Sequence, residues 1–306
     1  MKKRVGILRG GKKDYENSIK KGGELFFYIS QNLKDKFKVF DIFVDKKDIW
    51  HFAGKEISPA DLMHKVDLVW NVSDCSFSNI LKNFNIPVIE INFLNSFLNL
   101  NREILAENIK KNKIKMPRHF IIPAYQEDID GLDYKFIIKK AREVFEKFSA
   151  PWIVRSLNFN SKTAIHLAKT FPELERAIED CMKHQESILV EEFISGKNVS
   201  LHTLSNYRKE EIYFLPIVEH LNDNYLIPGK FPSNLKENLI NLAKQLHKNF
   251  DYPYYLHTQF ILNSKGIYLK NVSFFPELNK ESHFLGACDS IGVNLNSVIE
   301  NILNSV

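Results

Sequence analysis

The sequence has 306 residues, 44% of them hydrophobic and 26% charged, and this composition excludes a wholly disordered chain. Its formal net charge is +5, and its basic stretches alternate with acidic residues, so we expect no nucleic-acid partner. Three cysteines without a CxxC pair argue against a disulfide framework, and no apolar run reaches the roughly 18 residues of a membrane span, so we expect a cytoplasmic protein without a membrane partner.

The first hundred residues alternate between short apolar runs and amphipathic stretches. The run at residues 4–8 is followed by Gly10-Gly11, as expected of a buried strand that ends in a tight turn. Ser58 and Pro59 are typical of a helix start, with Ser58 as the N-cap. The predicted strands are residues 4–8, 37–44, 66–70 and 87–91, and the predicted helices are residues 15–33, a helix from residue 58, and residues 77–84. This alternation predicts a parallel sheet with helices on its faces, in a domain that spans residues 1–98.

Two further units of mixed strands and helices follow, at residues 99–195 and 196–306. In the first of them, Thr170 and Glu173 are typical of a capping box at the start of a helix. In the second, leucines recur on one face of a predicted helix, and a turn at Asn263 joins two strands. The predicted helices are residues 102–113, 134–148, a helix from residue 170, and residues 234–250 and 295–303, and the predicted strands are residues 118–122, 151–155, 188–192, 199–204, 211–216, 257–262 and 266–272.

Three stretches carry a resemblance that covers nearly the whole chain. They read VGILRGGKKDYENSIKKG from residue 5, PWIVRS and ILVEEFISGKNVSLHTL within residues 151–204, and HTQFILNSKGIYLKNVSFFPEL from residue 257. In this order they resemble the ATP-grasp superfamily and, within it, the D-alanine–D-alanine ligases. The resemblance implies an ATP-grasp fold of the α/β and α+β class, in which an N-terminal parallel α/β (pre-ATP-grasp) domain precedes two α+β lobes that sandwich the nucleotide.

The resemblance also implies an activity in peptidoglycan biosynthesis. Ligases of this family phosphorylate the carboxylate of one amino acid with ATP, and the amine of a second amino acid then attacks the acyl phosphate. Such chemistry requires neutralised phosphate charge, an aligned γ-phosphoryl group and a stabilised tetrahedral intermediate. The resemblance therefore implies ATP as cofactor, small amino acids as substrates, and a homodimer.

Several positions align with the residues that bind the nucleotide in this family. Two arginines replace phosphate-binding lysines, and arginine can chelate phosphate oxygens with its planar fork. The resemblance implies that Glu191 contacts the adenine amino group, that the backbone of residues 192–194 recognises adenine, and that Asn198 binds the ribose. The implied nucleotide-binding residues are Arg102, Arg155, Glu191, Glu192, Phe193, Ile194 and Asn198.

Four further positions align with residues that act on the substrates. Asp14 is implied to hold the amino group of the first amino acid, and Ser282 to lie near the carboxylate of the second. Ser161 aligns with a family serine, but its loop at residues 156–163 lacks glycine, so an ordinary polar loop and a phosphate-binding loop both stay open. His257 replaces the arginine that stabilises the tetrahedral intermediate. The interval at residues 219–231, where ligases have a closing loop, is short and is expected to form an exposed turn.

The positions that align with the family's magnesium ligands have lost their charge. They are Gln259, Asn271 and Ser273, and magnesium is normally anchored by one or two carboxylates. Glu277 lies nearby in the sequence and is a candidate substitute. Two interpretations therefore stay open: an ATP-dependent carboxylate–amine ligase with Mg²⁺ held mainly by the triphosphate, and a catalytically degraded relative that binds nucleotide or a partner without turnover.

Overall fold

The computed structural model describes residues 2–12, 15–90, 102–110, 114–157, 165–222, 224–251, 254–279 and 281–306. The chain folds into two compact units. The first unit combines Met1–Asn99, Asn198–Gln259 and Asn271–Val306, and the second combines Leu100–Lys197 and Phe260–Lys270. The three-domain division at residues 98 and 195 stays a prediction. No helix within the described residues is long and apolar enough to cross a membrane.

The N-terminal part of the first unit is a predominantly parallel sheet, as predicted. Its strand order is β4-β3-β2-β1-β5-β6, and β1 pairs in parallel with β2 and with β5. The two strands β3 and β4, which the sequence analysis missed, extend one edge in antiparallel pairing. The strands are β1 Lys3–Gly10, β2 Phe37–Val44, β3 Trp50–Phe52, β4 Lys55–Glu56, β5 Leu68–Asn71 and β6 Val88–Ile89, and the helices are Tyr15–Asn32 and Cys75–Asn83.

Two sequence expectations about local turns meet different outcomes here. Gly10, which ends β1, has φ +97°, and a Cβ atom there would lie 2.1 Å from the carbonyl oxygen of Val44. This close approach explains why the strand ends in glycine. The helix expected from Ser58 is a 3₁₀ helix, Pro59–His64, with Ser58 at the predicted N-cap position and Pro59 at the first helical position, although the Ser58 side chain makes no capping hydrogen bond.

The remainder of the first unit packs against this parallel sheet. Its strands follow the order β14-β13-β11-β15-β16, with β12 paired to β11, and the ends of β15 and β16 nearest their connecting turn belong to the second unit. Buried side chains from both parts, including Val5, Leu25, Tyr255, Phe284 and Ile299, form one hydrophobic core. The strands are β11 Lys197–Tyr207, β12 Glu210–Phe214, β13 Val218–Leu221, β14 Asn224–Leu226, β15 Tyr255–Asn263 and β16 Gly266–Ser273, and the helices are Ser233–Asn249, His283–Asp289 and Leu295–Leu303.

The second unit contains an antiparallel sheet with the order β7-β10-β8-β9. One face of this sheet packs against two helices through a core that includes Trp152, Val154, Val190 and Ile178. The strands are β7 His119–Ile122, β8 Trp152–Ser156, β9 His166–Ala168 and β10 Ile188–Glu192, and the helices are Arg102–Lys110, Glu127–Asp130, Asp133–Lys147 and Phe171–Met182.

The predicted cap of the helix Phe171–Met182 is partly confirmed. The Thr170 hydroxyl accepts a hydrogen bond from the Glu173 N–H at 3.4 Å, as a capping box requires. The Glu173 carboxylate, however, accepts from the Lys169 N–H at 2.6 Å. The carboxylate thus bonds one residue before the position that the capping box predicts, while the helix still begins at the predicted place.

Candidate functional site: a buried cation cluster

Strand alternation brings two of the predicted nucleotide-binding residues onto one face of the second unit's sheet. Arg155 in β8 lies opposite Leu189 in β10, and Glu191 lies two residues further along β10. Side chains two residues apart on a strand share a face, so Arg155 and Glu191 are diagonal neighbours. Their distance is 3.7 Å between a guanidinium nitrogen and a carboxylate oxygen. The opposite face of the sheet packs against the apolar core, so the charged side chains lie on the face that is turned away from that core.

Arg102, at the start of the helix Arg102–Lys110, completes an ion pair with the same carboxylate. Its terminal nitrogen lies 2.9 Å from a Glu191 oxygen, and both side chains are buried. Within the described part of the chain, the buried Nε of Arg102 has no hydrogen-bond partner. A buried charged group with an unsatisfied donor is energetically unfavourable, so the N–H of this nitrogen is suited to donate to a ligand oxygen.

A third cation, which the sequence analysis missed, lies close to the same carboxylate. Partial burial lowers the pKa of the Lys270 ammonium group in β16, the nearby Glu191 carboxylate raises it, and the Arg102 charge lowers it. The pKa of Arg155 is also lowered, mainly by burial and to a smaller extent by the Arg102 charge, while Glu191 opposes the shift. Arg102, Arg155, Lys270 and Glu191 form what we call the cation cluster. The sequence signal for Lys270 is a lysine that directly follows the apolar run Ile267-Tyr268-Leu269 in a strand.

The cation cluster has an excess of positive charge in a partly desolvated place. It contains two guanidinium groups and one ammonium group but one carboxylate. Repulsion between neighbouring cations lowers their pKa values, and a bound anion offsets this repulsion. Guanidinium groups bind phosphate oxygens in a bidentate manner, whereas an ammonium group acts as a point charge. The cluster therefore fits a multiply charged anion such as a phosphate chain.

The predicted adenine-recognition segment at residues 192–194 follows the cation cluster directly. Glu192 forms a two-bond ion pair with Arg118 at 2.9 and 3.0 Å, which holds the pKa of the Glu192 carboxyl below its usual value. The N–H groups of Glu192 and Phe193 donate to the carbonyl oxygens of Arg118 and Pro151. Phe193 is 39% exposed and Ile194 is half-buried. The roles of these residues, of Glu191 towards adenine and of the half-buried Asn198 stay predictions.

His257 lies in the first unit among other buried histidines. Burial and the neighbouring His283 and His220 lower its pKa to about 3, so the ring is uncharged at neutral pH. A neutral imidazole donates one hydrogen bond and cannot supply the positive charge of the arginine that it replaces. The Ser200 hydroxyl, 2.9 Å from its Nε2, occupies one of its two nitrogens. A part for His257 in stabilising an intermediate stays a prediction.

Ser282 acts as a helix cap in the first unit. Its hydroxyl accepts from the Leu285 N–H at 3.3 Å and donates to the Glu277 carbonyl oxygen at 2.8 Å. The side chain is buried, so both of its bonds hold the start of the helix His283–Asp289 in place. The implied contact between Ser282 and a substrate carboxylate stays a prediction. The predicted Asp14 and Ser161 lie outside the described residues.

The residues at the implied magnesium positions do not fit that ion. Gln259 and Ser273 are half-buried and Asn271 is exposed, and none of the three carries charge. The Ser273 hydroxyl donates to the Phe275 carbonyl oxygen at 3.4 Å. Glu277 is exposed and lies close enough to raise the pKa of Tyr255. A hard divalent cation requires oxygen ligands that include carboxylates, and the aligned donor set supplies amides and a hydroxyl.

The segment expected to form an exposed turn contains the hairpin of β13 and β14. Strand β13 pairs with β11 on one side and with β14 on the other. Tyr225 in β14 is 47% exposed, and its ring contacts those of His220 and His283. Asn222, between the two strands, is an exposed turn residue, as expected. The strands on either side of it were not predicted, because a few alternating residues in a short polar sequence give little apolar signal.

Comparison with known proteins agrees with this architecture. The family model described as D-ala D-ala ligase C-terminus matches residues 129–304. A D-alanine–D-alanine ligase of Borrelia garinii subsp. bavariensis is 21% identical over 99% of this chain and 95% of its own. A D-alanine–D-alanine ligase of Finegoldia magna is 23% identical, again over 99% of this chain and 95% of its own.

Solved structures of ligases share the fold. The VanG D-Ala:D-Ser ligase from Enterococcus faecalis superposes with a TM-score of 0.74 at 16% identity, over 99% of both chains. The D-alanine–D-alanine ligase from Bacillus anthracis complexed with ATP superposes with a TM-score of 0.70 at 18% identity, over 99% of this chain and 98% of its own. These likenesses confirm the predicted ATP-grasp fold. Together with the family model, which spans more than half of the sequence, they show that this chain belongs to the D-alanine–D-alanine ligase family.

Proposed function

We propose that this protein binds ATP through the cation cluster and uses it to join two small amino acids through an acyl phosphate. The observation that carries the proposal is the group of buried Arg102, half-buried Arg155 and exposed Lys270 around the buried Glu191. Among the described residues, the Nε of Arg102 has no hydrogen-bond partner. Membership of the ligase family supplies the reaction class, since its relatives bear the names of D-alanine–D-alanine ligases.

The cation cluster suggests how the phosphates of ATP would be held. Arg102 and Arg155 would each chelate phosphate oxygens, and Lys270 would add a point charge beside them. Bound phosphate would offset the desolvation and, to a smaller extent, the repulsion by Arg102 that lower the pKa values of Arg155 and Lys270. Fixed positive charge in a partly desolvated site also stabilises the negative charge of the transition state of phosphoryl transfer. No step is assigned to magnesium, because the aligned donors do not fit it.

Nucleotide binding is tested by titrating ATP calorimetrically into the wild-type protein and into Arg155→Ala and Lys270→Ala variants. A charged hydrogen bond contributes about 1.5–3 kcal/mol, so we expect each variant to weaken binding by about tenfold or more. Arg176→Ala is the matched control, since Arg176 is an exposed arginine on another element of the same unit. If Arg155→Ala and Lys270→Ala bind ATP as the control does, the cation cluster is not the nucleotide site.

A second candidate function is nucleotide binding without turnover. It is supported by one observation, the neutral side chains at the three positions that align with magnesium ligands. An assay of ADP release with D-alanine, D-serine and other amino acids, with and without magnesium, separates the two candidates. Release of ADP that depends on an amino acid supports the ligase. ATP binding without ADP release under any of these conditions supports the second candidate.

A further inference from the structure

Three buried histidines from three separate elements of the first unit converge on one point. His202 comes from β11, His257 from β15, and His283 from the start of a short helix. One ring nitrogen from each lies within 4.8 Å of the other two. The ring centroids are 4.6 Å apart for His202 and His257, 4.9 Å for His202 and His283, and 4.8 Å for His257 and His283. We call these three residues the histidine triad.

Hydrogen bonds fix the orientation of two of these rings. The Nδ1 of His202 lies 2.7 Å from the Tyr255 hydroxyl, and the Nε2 of His257 lies 2.9 Å from the Ser200 hydroxyl. The other nitrogen of His202, Nε2, lies 2.9 Å from Nδ1 of His283. Metal-binding histidines have this arrangement, in which the nitrogen that does not bind the metal is held by a neighbouring group.

The spacing of the nitrogens suits a small divalent transition metal. Zinc binds histidine nitrogens at about 2.0–2.1 Å in a tetrahedron, which places the ligand nitrogens about 3.3 Å apart. The Nε2 of His202 and the Nδ1 of His283, 2.9 Å apart, share a hydrogen bond that a metal ion would replace. The rings of His202 and His257 lie nearly parallel, at 18°, so metal binding requires one of them to turn towards the ion. We propose that the histidine triad is a binding site for a divalent transition metal such as zinc. Imidazole nitrogens suit zinc, copper, iron and nickel and are poor ligands for magnesium or calcium.

The histidine triad lies close to the surface at the β13–β14 hairpin. Tyr225 on this hairpin is 47% exposed, and its ring centroid lies 5.3 Å from that of His283. His220 on β13 lies beside it, with Nε2 2.7 Å from the same Ser200 hydroxyl that holds His257. The triad therefore lies one layer of side chains below solvent here. Three protein ligands leave a fourth position for water or a bound molecule.

The test uses full-length protein without an affinity tag, stripped with a chelator and dialysed. Titration with zinc chloride, followed by metal analysis after gel filtration, is expected to give about one zinc ion per chain. His283→Gln and His257→Gln are expected to lose this ion. His247→Gln is the matched control, because His247 is fully buried in the same unit and bonds Thr203 and Ser205, not the triad. The control is expected to keep it.

A milder variant keeps the test decisive where the histidine variants fold poorly. Tyr255→Phe removes the hydroxyl that holds His202 and preserves the buried ring, so it is expected to weaken zinc binding by about tenfold. In the wild type, zinc is also expected to raise the temperature of unfolding, and cobalt to give the visible absorption of a tetrahedral site. Absence of both effects overturns the proposal. Equal zinc binding by the wild type and all triad variants also overturns it, because the ion then lies elsewhere. The proposal does not depend on ATP binding.

Discussion

His247 is a buried titratable residue whose tautomer is set by two hydroxyl groups. The Thr203 hydroxyl donates to the Leu256 carbonyl oxygen and therefore accepts from Nδ1 of His247 at 2.8 Å. The opposite nitrogen, Nε2, then accepts from the Ser205 hydroxyl at 2.7 Å. Burial lowers the pKa of His247 to about 4, although Glu211 opposes the shift. The folded protein thus holds this ring neutral.

This residue predicts a pH dependence of stability. Between about pH 6.5 and pH 4 the unfolded chain binds a proton at His247 and the folded chain does not, so stability falls as the pH falls. The slope contributed by one such group is about 1.4 kcal/mol per pH unit. Urea unfolding of the wild type and of His247→Gln at several pH values in this window measures it. We expect the variant to lose that slope, and parallel curves for the two proteins would contradict the prediction.

The cation cluster illustrates how far single residues could be predicted. Arg102, Arg155 and Glu191 were each predicted as site residues, because each aligns with a nucleotide-binding position of the family that the sequence resembles. Their pairing was not predicted, since the 2.9 Å contact joins a helix start to a strand far along the chain. Lys270 was missed because it aligns with no binding residue of the family. His202 and His283 were missed for a similar reason, as histidines within apolar stretches are hard to distinguish from ordinary buried residues.

At the scale of elements, prediction succeeded where periodicity was strong. The strand Ile188–Glu192 and the helix Leu295–Leu303 have the predicted bounds, and the Asn294 side chain caps that helix. The short strands β3, β4, β9, β13 and β14 were missed. They have two to four residues each, too few for an alternating pattern to be recognised, and their pairing is decided by neighbouring strands.

The turn after β1 gives a prediction at this scale. Gly10→Ala would place a Cβ atom 2.1 Å from a backbone oxygen while keeping φ at +97°, so both a clash and backbone strain oppose it. Gly54→Ala is the matched control, with φ +82° and no atom within 4 Å of the added carbon. We expect the control to lose about 1–2 kcal/mol of stability, and Gly10→Ala to lose at least about 2 kcal/mol more. Denaturant unfolding measures the free energy of unfolding of both variants. Equal losses in the two variants would show that the backbone moves to relieve the clash at no energetic cost.

At the scale of the whole molecule, the first unit depends on segments from both ends of the chain. The Tyr28 hydroxyl donates to the Asn296 side chain at 2.6 Å, and the Lys3 ammonium donates to the Leu303 carbonyl oxygen at 2.9 Å. Leu25 and Ile29, on the helix Tyr15–Asn32, share one core with Ile299 and Leu303. The N-terminal sheet therefore leaves one of its helical layers incompletely buried when the C-terminal segment is absent.

We accordingly predict that a fragment of residues 1–98 lacks a stable fold by itself. Removing the C-terminal helices exposes the apolar side chains that they cover. A domain of this size has a small free energy of unfolding, so this loss of buried apolar surface is enough to unfold it. Circular dichroism during thermal unfolding of the fragment and of the full chain tests this. We expect a cooperative transition in the full chain and a gradual change in the fragment. A cooperative transition in the fragment would show that residues 1–98 fold independently.

The discontinuous first unit also has a consequence for synthesis on the ribosome. Nascent domains generally fold in order of emergence, N-terminal part first. Here the first segment, Met1–Asn99, shares a core with Asn271–Val306, which is translated after the whole of the second unit. Until that segment emerges, the apolar stripe of the helix Tyr15–Asn32 lacks the helices that cover it, so we expect the growing polypeptide to expose apolar surface to aggregation and to chaperones.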